Sequence, residues 1–145
     1  MRIAIGTDHG GYILKEGIKE YLENNGHTCK DFGCYSKESC DYPDFGSPAA
    51  EAVAKGECER GIVICKTGIG MSITANKVKG IRAALCFSPK TAEMSRRHNN
   101  ANVLVLAAEY VSSTDAQLII DKWLDTEFEE GRHQRRISKI DIYEN

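Results

Sequence analysis

Two stretches of this chain, Gly61-Ile62-Val63-Ile64-Cys65 and Val103-Leu104-Val105-Leu106, are apolar without a break. Such runs suit strands covered on both faces, not the in-out alternation of a half-exposed sheet. Between and around them lie longer segments whose apolar residues recur at helical spacing. Ile3-Ala4-Ile5 is a further strand, followed by a glycine-rich turn and a helix with Leu14, Ile18, Tyr21 and Leu22 on one face. Asn25-Gly26 ends that helix, and His27 to Phe32 reads as a second, less apolar strand. Past Pro43, Ala49, Ala50, Val53 and Ala54 mark a second helix; Ile73 and Val78 mark a third. Ile81 to Cys86 is the fourth strand, and Ser88-Pro89 opens a helix with a serine cap and a proline in the first turn. Ser113 or Thr114 caps a helix that buries Ala116, Ile119, Ile120, Trp123 and Leu124. A last amphipathic helical segment begins near Gly131 and carries Ile137 and Ile140.

Five strands, each followed by a helix, predict one α/β domain over residues 1–145: a Rossmann-like three-layer α/β/α sandwich around a five-stranded parallel sheet. Ligands of such sheets bind outside the carboxyl ends of the strands. Those ends carry Thr7-Asp8-His9-Gly10-Gly11, the segment Cys65 to Gly70, and the residues beyond Leu106.

A net charge of −2 gives no field that would draw the chain to nucleic acid or to an anionic membrane. No apolar run approaches the roughly 20 residues of a membrane-spanning helix. The strand-like N-terminus leaves no room for a signal peptide, so a cytoplasmic location is expected. The six cysteines then read as free thiols, although Cys34 and Cys40 could meet across a loop. No C-x-x-C pair occurs, and no histidine stands at zinc-ligand spacing from two cysteines, so no metal is expected.

The most informative segment is Cys65-Lys66-Thr67-Gly68-Ile69-Gly70-Met71-Ser72. A thiol at a strand end just before a helix N-terminus sits where free N–H groups favour an anion. Gly68 and Gly70 allow the backbone close to a ligand, where its amides can hold a developing oxyanion. A buried structural cysteine beside an ordinary turn fits the same residues equally well. The dinucleotide fingerprint is half present, since Ile73 replaces its third glycine, and no Walker lysine occurs. Asp8-His9 offers a carboxylate and an imidazole for acid–base work, or a helix cap. His98-Asn99-Asn100 ends a helix, where asparagines commonly cap. Arg132 and Arg136 share a face if their segment is helical and would suit a phosphate, or a solvated basic surface. Tyr42 in Asp41-Tyr42-Pro43 offers a phenol near the same sheet edge, or packs.

In order and at near-fixed spacing, Asp8-His9-Gly10-Gly11, Asp41-Tyr42-Pro43, Cys65 with Thr67-Gly68-Ile69-Gly70, Ala75-Asn76-Lys77, Gly80-Ile81-Arg82-Ala83, His98-Asn99, Asn102-Val103-Leu104 and Gly131-Arg132-His133-Gln134 resemble the ribose-5-phosphate isomerase B family over essentially the whole chain. That family includes galactose- and allose-6-phosphate isomerases. The resemblance implies an aldose–ketose isomerase acting on a sugar phosphate without a cofactor, as a dimer or tetramer whose sites are shared between subunits. It implies that Cys65 takes the proton next to the carbonyl and that the backbone of Lys66, Thr67, Gly68, Ile69 and Gly70 stabilises the enediolate. Thr67 would relay a proton, while His98, with Asp8 and His9, would open the sugar ring. Asn99 would touch the substrate, and Arg132 and Arg136 would hold the phosphate.

Two positions depart from the family pattern: Lys66 stands where glycine is usual, and Glu109 where many members carry a phosphate-binding arginine. Their opposite charges suggest compensation, with Lys66 reaching toward the phosphate or pairing with Glu109. Ribose 5-phosphate is the expected substrate. A six-carbon aldose phosphate, a binding module without catalysis and a generic nucleotide-binding domain are the alternatives.

Overall fold

The unbroken apolar run at residues 61–65 forms the middle strand of the sheet. In the computed structural model, which describes residues 1–144, five parallel strands stand in the order β2-β1-β3-β5-β4. They are β1 (Arg2–Thr7), β2 (Thr28–Asp31), β3 (Arg60–Cys65), β4 (Ala83–Leu85) and β5 (Val103–Ala107). Their register sets Ile5 beside Ile62, and Ile62 beside Leu104. Six helices accompany them: α1 (Tyr12–Asn24), α2 (Pro43–Ala54), α3 (Ile69–Asn76), α4 (Pro89–Asn99), α5 (Ser113–Asp125) and α6 (Arg132–Asp141).

The period of two along a strand divides the interior into two cores. Ile3, Ile5, Ile62, Ile64, Leu104 and Leu106 point to one face, where Ile18 and Leu22 of α1, Ala92 of α4 and Ile119, Ile120 and Trp123 of α5 cover them. Ala4, Val63, Cys65, Val103 and Val105 point to the other, beneath Ala49, Ala50 and Val53 of α2 and Met71 and Ala75 of α3. Helices on both faces make the expected three-layer sandwich. Among the described residues no helix is long and apolar enough to cross a membrane.

Several local expectations need correction. Residues 81 and 82 stay out of β4, because the N–H of Arg82 donates to the Asn102 side chain instead of entering the ladder. The second helix stands where it was read, α2 running from Pro43 to Ala54 and burying Ala49, Ala50, Ala52 and Val53. Ile73 is exposed and Val78 lies beyond α3, whose inward face is Met71 and Ala75. Ser112, rather than Ser113 or Thr114, caps α5 by accepting from the Asp115 N–H at 3.1 Å. The last helix stands as read: α6 carries Ile137 and Ile140, with Ile137 and His133 buried and Ile140 exposed. The Ser88 cap of α4 is present as expected, and all six cysteines are free thiols.

One lysine is fully buried. Lys15 of α1 donates to both carboxylate oxygens of Asp31 at 2.9 and 2.8 Å, and to the Cys34 carbonyl at 2.7 Å. The Tyr12 and Tyr35 rings lie 5.6 and 5.0 Å from its ammonium. Burial alone would raise the Asp31 carboxyl. The hydrogen bonds from Lys15 and the Gly33 N–H, with the charges of Lys15 and Lys19, hold it below its ordinary value.

Candidate active site

The sheet's connections diverge between β1 and β3: the chain leaves β1 toward β2 on one side and later builds β3 on the other. A ligand crevice belongs at the carboxyl ends of two such strands. There an open cavity of about 410 Å³ is lined by Asp8, Tyr42, Cys65, Lys66, Thr67, Ile69, Gly70 and Ile73. Cys65, the last residue of β3, is only 5% exposed, yet it lines this cavity and is not sealed in the core.

The segment after Cys65 turns directly into α3. Gly68 caps the helix with φ +76°, a left-handed conformation that favours glycine, and a β-carbon there would lie 2.4 Å from Leu85. The first amides of α3 have no acceptor within the helix. That of Ile69 donates to Thr67 Oγ1 at 3.3 Å. Those of Gly70 and Met71 belong to the same turn and leave partial positive charge beside the cavity. Gly70 is bare for a packing reason: a β-carbon would stand 2.3 Å from the Tyr42 ring, which lies across it.

Asp8 serves as a cap. Its Oδ1 accepts from the Gly10 N–H at 2.9 Å and the Gly11 N–H at 3.3 Å, fixing the single 3-10 turn His9–Gly11. Both bonds fall on one oxygen, which leaves Oδ2 for the cavity Asp8 lines. His9, the first residue of this turn, is exposed, and its Nδ1 accepts the Cys40 N–H at 3.2 Å. In the neutral ring the proton is therefore on Nε2. The parallel ladder runs on past β3 and β5, with Ala108 N–H donating to Cys65 O at 2.9 Å and Glu109 N–H to Lys66 O at 3.0 Å. This continuation brings the Lys66 ammonium to 3.9 Å from the Glu109 carboxylate, so the two departures form an ion pair.

Within one chain, four of the expected site residues stay away from this cavity. His98 and Asn99 end α4, which feeds the amino end of β5, whereas Cys65 is paired with Ala107 at the carboxyl end. Five strand residues, roughly 13 Å, lie between the two ends. His98 is thus not close to Asp8 and His9 of its own chain. Arg132 and Arg136 are both exposed on α6, one turn apart as expected, and α6 packs on α4. Asn99 lines a different cavity, of about 460 Å³, together with Arg82 and Tyr143.

Glu129 belongs to no motif in the sequence, and His133 stands in one only as part of Gly131-Arg132-His133-Gln134. The His98 and His133 rings stack with centroids 4.3 Å apart and planes 10° from parallel, with Glu129 against both. The four-residue spacing from Glu129 to His133 at a helix start was the available signal. These three residues are metal-ligand types within 4.8 Å of one another. Stacked rings, however, aim their lone pairs side by side, not at a common point, and Arg97 already holds the carboxylate at 2.8 Å.

The Ribose/Galactose Isomerase family pattern matches residues 3–140. The chain belongs to this family. It is 46% identical over 143 residues to ribose-5-phosphate isomerase B of Escherichia coli, covering 99% of this chain and 96% of that one. The ribose-5-phosphate isomerase B structure from Clostridium thermocellum superimposes with a TM-score of 0.97 at 54% identity, covering 98% of this chain and 96% of the other. That from Mycoplasma genitalium, solved with bound ribulose-5-phosphate, gives 0.94 at 45% identity, covering 98% and 95%. Family membership agrees with the resemblance read from the motifs, and the near-complete coverage extends it to the whole sandwich.

Proposed function

We propose that this chain is an aldose–ketose isomerase interconverting ribose 5-phosphate and ribulose 5-phosphate through an enediolate, with Cys65 as the base. One observation carries the reading: Cys65 lines a cavity beside the first amides of α3, in a chain alike over its full length to ribose-5-phosphate isomerases B. Cys65 takes the proton from C2 of the open-chain aldose. Negative charge gathers on O1, where amide donors lower its energy; losing one such donor elsewhere costs about 3–4 kcal/mol of barrier. The proton returns to C1, and Thr67 relays the hydroxyl proton from O2 to O1, so that the carbonyl ends on C2. The names borne by these relatives do not favour a six-carbon aldose phosphate.

His98, Asn99, Arg132 and Arg136 reach a Cys65 cavity only from a second copy, which supports a homo-oligomer with shared sites. The enzyme is read as cytoplasmic. The test uses two inactive proteins. Cys65→Ala is expected to lose at least 1,000-fold in kcat while still binding ribulose 5-phosphate, on the order of what a removed general base costs. Mixed after unfolding and refolding with His98→Asn, it should regain about a quarter of wild-type activity, because half the pairs are mixed and each mixed pair has one intact site. Full activity in Cys65→Ala would refute the base. No recovery on mixing would refute the shared site.

A further inference from the structure

A carboxylate that the proton transfer above does not use stands against the two stacked imidazoles. Glu129 lies just before α6 and is tied twice to one residue of α4. Its N–H donates to the Arg97 carbonyl at 3.0 Å, and its Oε2 accepts from Arg97 Nε at 2.8 Å. Held so, Oε2 lies 4.0 Å from His98 Nε2, and Oε1 lies 3.9 Å from His133 Nε2. Burial would raise the Glu129 carboxyl, but Arg97 and the two histidines hold it below its ordinary value, so it is charged at neutral pH.

The two rings differ in surroundings. His133 is 5% exposed and its Nε2 finds no hydrogen-bond partner among the described residues, while the His98 side chain is 37% exposed. Desolvation pushes His133 down first, the charges of His98, Arg132 and Arg136 add to that, and Glu129 alone opposes them. The groups around the stack are thus Glu93 and Arg97 from α4, Glu129 from the link, and Arg132, His133 and Arg136 from α6. Two rings in face contact resist carrying two charges. The exposed ring, His98, has the other ring against its face and the carboxylate off its edge.

We propose that Glu129 is the positioning residue of His98: clamped by Arg97, it orients the stacked pair and stabilises the imidazolium that His98 becomes during ring opening. This rests on the assignment of His98 as the ring-opening group. In that step the C1–O4 bond breaks, C1=O1 forms, and one proton passes from O1 to O4 with His98 as its carrier.

Glu129→Gln keeps the size and removes the charge. With the ligand-free protein, His98 ring signals followed by NMR against pH should titrate about 0.5–1 unit lower than in wild type, roughly a three- to tenfold loss of proton affinity. Glu129→Asp, which keeps the charge, should return the midpoint most of the way. The acid limb of the kcat profile should move in the same direction, with KM changed less than about twofold. A His98 midpoint unmoved in Glu129→Gln overturns the proposal, even if stability falls, because a purely structural clamp on Arg97 would behave that way. The NMR readout needs no turnover, so failure of the isomerase reading, seen as full activity in Cys65→Ala, stays distinguishable from failure here.

Discussion

Lys66 and Glu109 meet at 3.9 Å on the rim of the Cys65 cavity, with side chains 70% and 47% exposed. An ion pair so open to water is worth under about 1 kcal/mol, so its meaning is electrostatic and not structural. The carboxylate repels an incoming phosphate ester, and the ammonium beside it cancels much of that repulsion. Glu109→Gln should therefore lower KM for ribose 5-phosphate about two- to fivefold at low ionic strength, the gain fading toward 0.5 M salt as screening shortens the reach of the charges. Steady-state kinetics at two salt concentrations checks this. At this scale much of the site was legible. Cys65, Asp8, Tyr42, Thr67, Ile69 and Gly70 line one cavity because strand ends and turn glycines announce themselves in a sequence. The pairing of Lys66 with Glu109 was legible too, from opposite signs at two neighbouring strand ends. Glu129 was not, because a carboxylate in a polar link looks like solvated surface until the Arg97 clamp and the histidine stack surround it.

Elements were read best where backbone chemistry leaves a local mark. At the start of α4, Ser88 Oγ accepts the Thr91 N–H at 3.1 Å while Thr91 Oγ1 accepts the Ser88 N–H at 3.3 Å, a reciprocal cap followed by Pro89. Ser88→Ala should cost about 1 kcal/mol in denaturant unfolding, with kcat nearly unchanged, since the capped end lies opposite the His98 end of the helix. The start of α5 was misplaced because three consecutive hydroxyl residues, Ser112, Ser113 and Thr114, each have cap chemistry, and only the geometry of the Asp115 amide selects the first. Ile73 falls within α3 as read, but the direction it faces was not legible. Helical periodicity identifies an apolar face but not what covers it, and α3 keeps Ile69 and Ile73 exposed, 58% and 59%, at the cavity they line.

Across the whole molecule, the five-stranded parallel sheet with helices on both faces was legible from continuous apolar runs alternating with helical segments, while the strand order was not. The Lys15–Asp31 pair does not follow, since a lysine in an amphipathic helix reads as solvent-facing. Asp31→Ala should destabilise the fold by about 2–3 kcal/mol at neutral pH, because the fully buried ammonium loses its two bonds to Asp31 and keeps only the Cys34 carbonyl and the half-exposed Glu16 carboxylate at 3.2 Å. Because the folded-state carboxyl is held below its unfolded value of 3.8, its contribution is complete above that pH and is lost as pH falls through the lower folded value. Wild type and variant should therefore converge in stability only in strong acid, which denaturant titrations at pH 7 and pH 2.5 would reveal. The largest consequence comes from the span of β5. On the proposed shared site, with sulfur at one pole of the sheet and imidazole and guanidinium groups at the other, a solitary polypeptide would be chemically mute until it met a twin. At low abundance, output would then climb with the square of the number of chains made, a threshold written into the topology itself.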